Sequence, residues 1–180
     1  MPHPDGHVLG ATVTIPEGEG PFPAAVLISG TGPQDRDQNV YNHKQFLVLA
    51  DYLTRQGIAV VRYDDRGVGQ STGNFLNAST ATFATDAKAV YEYATTKLKR
   101  VDPAKVGLIG FDEGGLIAPM VANEVDGVSF IVLLGAPGLK GMEMQIIQTR
   151  EELRLAGFEG EAVQPVLDRS EEHTSELQSH

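Results

Sequence analysis

The chain has 180 residues, 41% hydrophobic and 21% charged, the make-up of one globular domain around a single core. With 14 Lys+Arg against 24 Asp+Glu the formal charge is −10, which opposes wrapping a phosphate backbone, so no nucleic acid is expected as a partner. Cysteine is absent, which excludes disulfides, thiolate catalysis and Cys-rich zinc sites.

Met1-Pro2-His3-Pro4-Asp5 lacks the charged-then-apolar plan of a signal peptide, and no run approaches the roughly 18 apolar residues of a membrane helix. A cytoplasmic protein with no membrane span is the expectation; an export signal would have to precede Met1. Val8 to Ile15 alternates loosely and predicts an edge strand or hairpin arm, closed by the Pro/Gly-rich residues 16–21. Ala24 to Ser29 is nearly all apolar, as for a strand covered on both faces. Phe46, Leu47, Leu49, Ala50 and Leu53 recur at helical spacing until Gly57, a fitting C′ residue. Ile58 to Tyr63 predicts the next buried strand. From Thr80 to Lys99 one apolar stripe (Phe83, Ala84, Ala87, Val90, Tyr91, Ala94, Leu98) predicts a long helix, with Asp86 and Glu92 on its solvated face. Asp102-Pro103 predicts a break. Lys105 to Gly110 reads as a third central strand, Gly114 to Val125 as a helix and Val128 to Leu134 as a fourth strand. Met142 to Leu155 predicts a polar-faced helix and Ala162 to Leu167 the start of another.

Residues 169–180 are polar and without amphipathic period. They read as a non-native tail, similar to a sequencing adapter translated in frame, against the alternative of a natural solvated tail. On that reading the gene fragment ends near Asp168, and residues 1–168 are the N-terminal part of a domain that continues further. An open sheet edge, poor stability or association are then expected.

Strands alternating with helical stretches predict βαβ crossovers: an α/β fold with a mostly parallel sheet, helices on both faces and the last strands missing. Ligands of such sheets lie at the carboxyl ends of the strands, which selects the loops after Ser29, Tyr63, Ile109 and Leu134.

Gly110-Phe111-Asp112-Glu113-Gly114-Gly115 joins a strand to a helix, where a GxSxG nucleophile elbow falls. Small flanking residues permit a tight turn that lifts Asp112 above the sheet, and the N–H of Glu113 would point into the site as an oxyanion donor. A plain glycine-rich turn is the alternative. Residues 29–37 (Ser-Gly-Thr-Gly-Pro-Gln-Asp-Arg-Asp) and 64–71 (Asp-Asp-Arg-Gly-Val-Gly-Gln-Ser) follow the two preceding strands; the second, taken alone, reads as a salt-bridged turn.

Together with residues 115–119 and 133–138, these loops resemble the α/β-hydrolase superfamily up to about residue 155. The bacterial esterases and serine-aminopeptidase-like hydrolases, with an elbow Gly-His-Ser-Glu-Gly-Gly, are the branch resembled. The resemblance implies a carboxylic ester hydrolase: an elbow Ser attacks, a His takes its proton, an Asp orients the His, and two backbone amides hold the oxyanion. It implies Thr31 N–H as the second oxyanion donor, Gly30 and Gly32 beside a small-molecule ester or acyl substrate, and no cofactor. It also implies a helical lid starting near residues 140–168, for which Met142, Met144, Ile146 and Ile147 supply apolar groups; the bland alternative is an amphipathic helix short of partners.

This chain departs from the pattern. Phe111 and Asp112 replace His and Ser, and the triad acid and His should follow in later strands. Of five histidines, His3 and His7 lie near the start, His173 and His180 in the suspect tail, and His43 reads as a first-turn or pocket-rim residue. No set of His, Asp and Glu has metal-ligand spacing, so no metal is expected. Three readings stay open: a disabled esterase, a non-catalytic binding scaffold, and an Asp-nucleophile hydrolase of the dehalogenase or epoxide hydrolase type. Against the last, those relatives place Trp after the Asp, where Glu113 stands. GxGxxG spacing and GK[ST] are both missing, which sets aside a nucleotide site.

Overall fold

The computed structural model describes residues 1–139 and 141–158, in two compact units, Met1–Ala136 and Pro137–His180. The second contributes one described helix, α4 (Gly141–Leu155), close to the predicted bounds. The predicted helix start at Ala162 and the tail at 169–180 lie outside the described residues.

The first unit carries strands β1 (Ala11–Thr14), β2 (Phe22–Ile28), β3 (Asn39–Val40), β4 (His43–Lys44), β5 (Ala59–Tyr63), β6 (Val101–Phe111) and β7 (Ile131–Leu134). Its helices are α1 (Gln45–Arg55), α2 (Thr80–Lys97) and α3 (Gly114–Glu124). Five strands form one sheet in the order β1-β5-β2-β6-β7, with only β1 antiparallel. Side chains alternate across a strand, so β2 feeds two cores. Ala24, Val26 and Ile28 join Val61, Leu108, Val90, Ile117 and Val121 on the α2–α3 face; Ala25 and Leu27 join Phe46, Ala50, Val60 and Ile109 under α1. That two-sided burial is why the strand reads as a continuous apolar run. Helix α2 starts at a capping box in which Ser79 Oγ accepts from Thr82 N–H and Thr82 Oγ1 accepts from Ser79 N–H. Among the described residues no helix is long and apolar enough to cross a membrane.

Four expectations need correction. Strand β6 begins at Val101, not Lys105: Val101 pairs with Phe22 and Val106 with Ala24, so Asp102-Pro103 bulges out of a longer strand instead of breaking it. Strand β7 is shorter than predicted and lies at the sheet's edge among the described residues, with Phe130 to Leu134 36–49% exposed. His43 lies in exposed β4, part of a hairpin whose two-residue turn, Tyr41-Asn42, has φ of 51° and 63°. Asp86, expected in solvent, is 1% exposed.

Candidate active site

The turn between β6 and α3 is built on three glycines that tolerate no side chain. A Cβ on Gly110 would lie 2.1 Å from the Gly114 oxygen, one on Gly114 2.2 Å from the Ile28 oxygen, and one on Gly115 2.3 Å from Ala136 Cβ. This close approach of α3 to the sheet drives the residue between them into the left-handed region: Asp112 has φ 50°. The strained turn is pinned on both sides, Asp112 N–H donating to the Leu134 carbonyl (2.9 Å) and Asp112 C=O accepting from Gly115 N–H (2.9 Å).

The loop after β2 reaches that turn. Thr31 N–H donates to Asp112 Oδ2 at 3.0 Å. Gly30 is small for a reason, since a Cβ there would stand 3.0 Å from both Asp112 Cβ and Oδ2. The loop's shape is fixed from behind: buried Gln38, at φ 51°, accepts Gly30 N–H through Oε1 (3.2 Å), and Gln34 Nε2 donates to the Thr31 carbonyl (2.9 Å).

The loop after β5 supplies two carboxylates with opposite fates. Asp64 takes Arg36 Nη2 (2.6 Å) and Nε (2.9 Å) and the N–H groups of Arg36 and Gln70. Burial pushes its carboxyl up, but these four donors outweigh it and hold the group below its ordinary range. Asp65 accepts only Ser29 Oγ–H (2.7 Å) and Gln34 N–H (2.9 Å); burial, with Asp86 and Glu113 adding repulsion, raises it to about 6. Glu113, the N-cap residue of α3, accepts Thr80 Oγ1–H at 2.7 Å. Ser29, Gly30, Gly32, Asp65 and Glu113 line a cavity with room for about one water molecule.

The raised Asp65 carboxyl makes stability fall as pH rises. The native state holds its proton up to about pH 6, the unfolded chain only to its ordinary value of 3.8, so ionisation in the fold costs about 3 kcal/mol at pH 8. Asp65→Asn keeps the shape, and Ser29 Oγ can accept from its amide. Urea denaturation is expected to show a gain of about 1–3 kcal/mol at pH 8 that disappears near pH 4. A difference that does not change with pH would contradict the burial argument.

The structure thus brings Asp112, Thr31, Glu113, Gly30 and Gly32 to one end of the sheet. The salt-bridged reading of residues 64–71 also holds: Asp64 pairs with Arg36, and Arg66 with Asp86 (Nε–Oδ2 2.7 Å, Nη2–Oδ1 2.8 Å). Ligand spacing along the chain does not reveal the one group of His, Asp or Glu, among the described residues, whose ligand atoms gather closely enough for an ion. His3, His7 and Asp86 have ligand atoms within 4.8 Å of one another, and His3 is 7% exposed despite its place near the start.

A family model for X-Pro dipeptidyl-peptidases (S15 family) matches residues 5–149. The chain is 35% identical over 144 residues to esterase EstD of Thermotoga maritima, covering 77% of this chain and 33% of the esterase. Its fold matches the α/β-hydrolase GrgF of Penicillium sp. sh18 with a TM-score of 0.65 at 20% identity, over 88% of this chain and 54% of that one. Est1E of Butyrivibrio proteoclasticus, solved with ferulic acid bound, matches with a TM-score of 0.59 at 26% identity, over 71% and 48%. The chain therefore spans between a third and about half the length of these proteins.

Proposed function

Since the chain belongs to the X-Pro dipeptidyl-peptidase (S15) family of α/β-hydrolases, we propose that its elbow is the acyl-transfer half of a carboxylic ester hydrolase site, held shut by Asp112. The observation that carries this reading is the hydrogen bond from Thr31 N–H to Asp112 Oδ2 at a residue with φ 50°. Asp112 occupies the position of the nucleophile. Thr31 N–H and Glu113 N–H are the oxyanion donors, and Gly30 and Gly32 leave space for a small ester or acyl group.

A charged oxygen of the protein itself already sits on one donor, so a substrate oxyanion has to displace it. Attack by the carboxylate on an ester gives a tetrahedral adduct that expels the carboxylate more easily than the alkoxide, so the ester re-forms before a mixed anhydride can accumulate. A serine hydroxyl is neutral and leaves the donors open, and a histidine takes its proton and hands it to the departing alkoxide; the described residues after Asp112 contain no histidine. No cofactor enters this chemistry. Small-molecule esters fit the kinship with esterase EstD.

With p-nitrophenyl acetate the purified chain is expected to hydrolyse no faster than background, with Asp112→Asn unchanged. Turnover lost in Asp112→Asn would instead favour the Asp-nucleophile reading. In Asp112→Ala the Thr31 amide is freed, and its NMR resonance is expected to shift and then to respond to added butyrate, bound at least about 10-fold more tightly than by the parent. A Thr31 resonance indifferent to the substitution would sink the closed-site reading.

A further inference from the structure

We propose that His3, His7 and Asp86 form a binding site for a divalent cation of the zinc class that ties the N-terminal hairpin to α2. The hairpin is closed by Leu9 N–H to Met1 C=O (2.8 Å) and His3 N–H to His7 C=O (2.9 Å). It sets the two imidazoles in a stack, centroids 4.1 Å apart and 26° between planes. Both turn Nε2 to the same atom, Asp86 Oδ1, at 3.4 Å from His3 and 2.9 Å from His7. The side chains of His3, His7 and Asp86 are only 2%, 9% and 1% exposed.

Tetrahedral zinc, bonded at about 2.0–2.2 Å, holds its ligand atoms roughly 3.3–3.5 Å apart. The His3 contact to Oδ1 already has that spacing, the His7 contact is a few tenths of an ångström shorter, and no pair in the set is wider than 4.8 Å. Two imidazoles and one carboxylate suit zinc better than calcium or magnesium, which prefer all-oxygen sets. A water completes the coordination.

The surroundings supply the supporting shell. Arg66 grips both oxygens of Asp86, Nε on Oδ2 (2.7 Å) and Nη2 on Oδ1 (2.8 Å), which fixes the carboxylate but makes a cation share Oδ1 with the guanidinium. His3 Nδ1 accepts Asp5 N–H at 3.1 Å, which leaves the ring proton on Nε2; coordination through Nε2 moves that proton to Nδ1 and breaks this hydrogen bond, and the Asp5 carboxylate, 3.6 Å from Nδ1, is placed to accept from Nδ1–H in its stead. Arg66 also neutralises Asp86, so a modest affinity is expected.

Calorimetric titration of the EDTA-treated chain with zinc chloride near neutral pH is expected to show one equivalent bound. His3→Gln and His7→Gln should each weaken it by more than about 100-fold, and Asp5→Asn by about 10-fold. Both histidine variants keep the Arg66–Asp86 pair, and circular dichroism reports whether they stay folded. In the unaltered chain, zinc should shift the imidazole NMR signals of His3 and His7 but not of His43, and cobalt should give a tetrahedral visible spectrum. No binding to the unaltered chain, full binding in both histidine variants, or zinc-insensitive His3 and His7 signals would each overturn the site.

Discussion

Gly114→Ala is expected to cost about 3–4 kcal/mol of folding stability, read as a lower urea midpoint at unchanged slope. The added Cβ would lie 2.2 Å from the Ile28 oxygen and 2.6 Å from the Ser29 oxygen. Both are backbone atoms at the end of β2, in the middle of the sheet, so no rotamer change relieves the clash. Helix α3 has to lift off the strand, losing the packing of Ile117 and Val121 against the core. Against a total stability of about 5–15 kcal/mol this is severe. It also breaks the candidate site, because the loop after Ser29 carries Thr31 to Asp112. Gly138→Ala, with open space around the new methyl and no positive φ, is the control and should stay within about 0.5 kcal/mol. Equal midpoints for the two variants would mean that α3 does not approach β2 as closely as the elbow geometry requires.

Features that depend on local pattern were legible in the sequence. Ala24 to Ser29 and Ile58 to Tyr63 announce buried strands because both their faces are covered, and the stripe along α2 announces the side it packs. The elbow shows itself through Gly110 and Gly114, since only glycine fits where two backbones touch, and through Gly115, whose added Cβ would run into Ala136. Features that depend on distant partners were not. Asp86 sits on a helix as the lone carboxylate of its turn, and nothing nearby tells that Arg66, 20 positions earlier, and His7, 79 earlier, will bury it. His3 and His7 stand near the start, where no periodic pattern announces the hairpin that folds them inward. The turn at Tyr41-Asn42 is too short for any periodicity, and Tyr41 is an unusual choice for a positive φ. Pro103 signals a break, and only the pairing of Val101 with Phe22 reveals a bulge. The family resemblance implies Thr31 N–H as an oxyanion donor; that the Asp112 carboxylate captures this amide depends on how two loops 81 positions apart meet, which no local pattern carries.

Asp86→Ala should be about as damaging, at about 3–5 kcal/mol, for an electrostatic reason. Its carboxylate accepts Arg66 Nε and Nη2 and His7 Nε2 in a site that is 1% exposed. Removal leaves the Arg66 guanidinium, 11% exposed as a side chain, with only the longer contacts to Thr82 C=O (3.3 Å) and Thr85 Oγ1 (3.5 Å). The cost is the stranded charge, more than the lost pair: taking ions out of water is expensive, and the pair only offsets that cost. The double variant Arg66→Met/Asp86→Leu, which removes both charges and keeps the volume, is therefore expected to be more stable than Asp86→Ala alone, with a coupling of at least about 2 kcal/mol in a double-mutant cycle. Glu92→Ala, on the exposed side of the same helix, should change stability by less than about 0.5 kcal/mol. Because Arg66 follows directly on Asp64 and Asp65, loosening it also frees the loop behind the elbow, and the Thr31 amide should exchange faster in Asp86→Ala than in the double variant. If the single and double variants lose equal stability, packing at position 86 is what matters, and the charge argument fails.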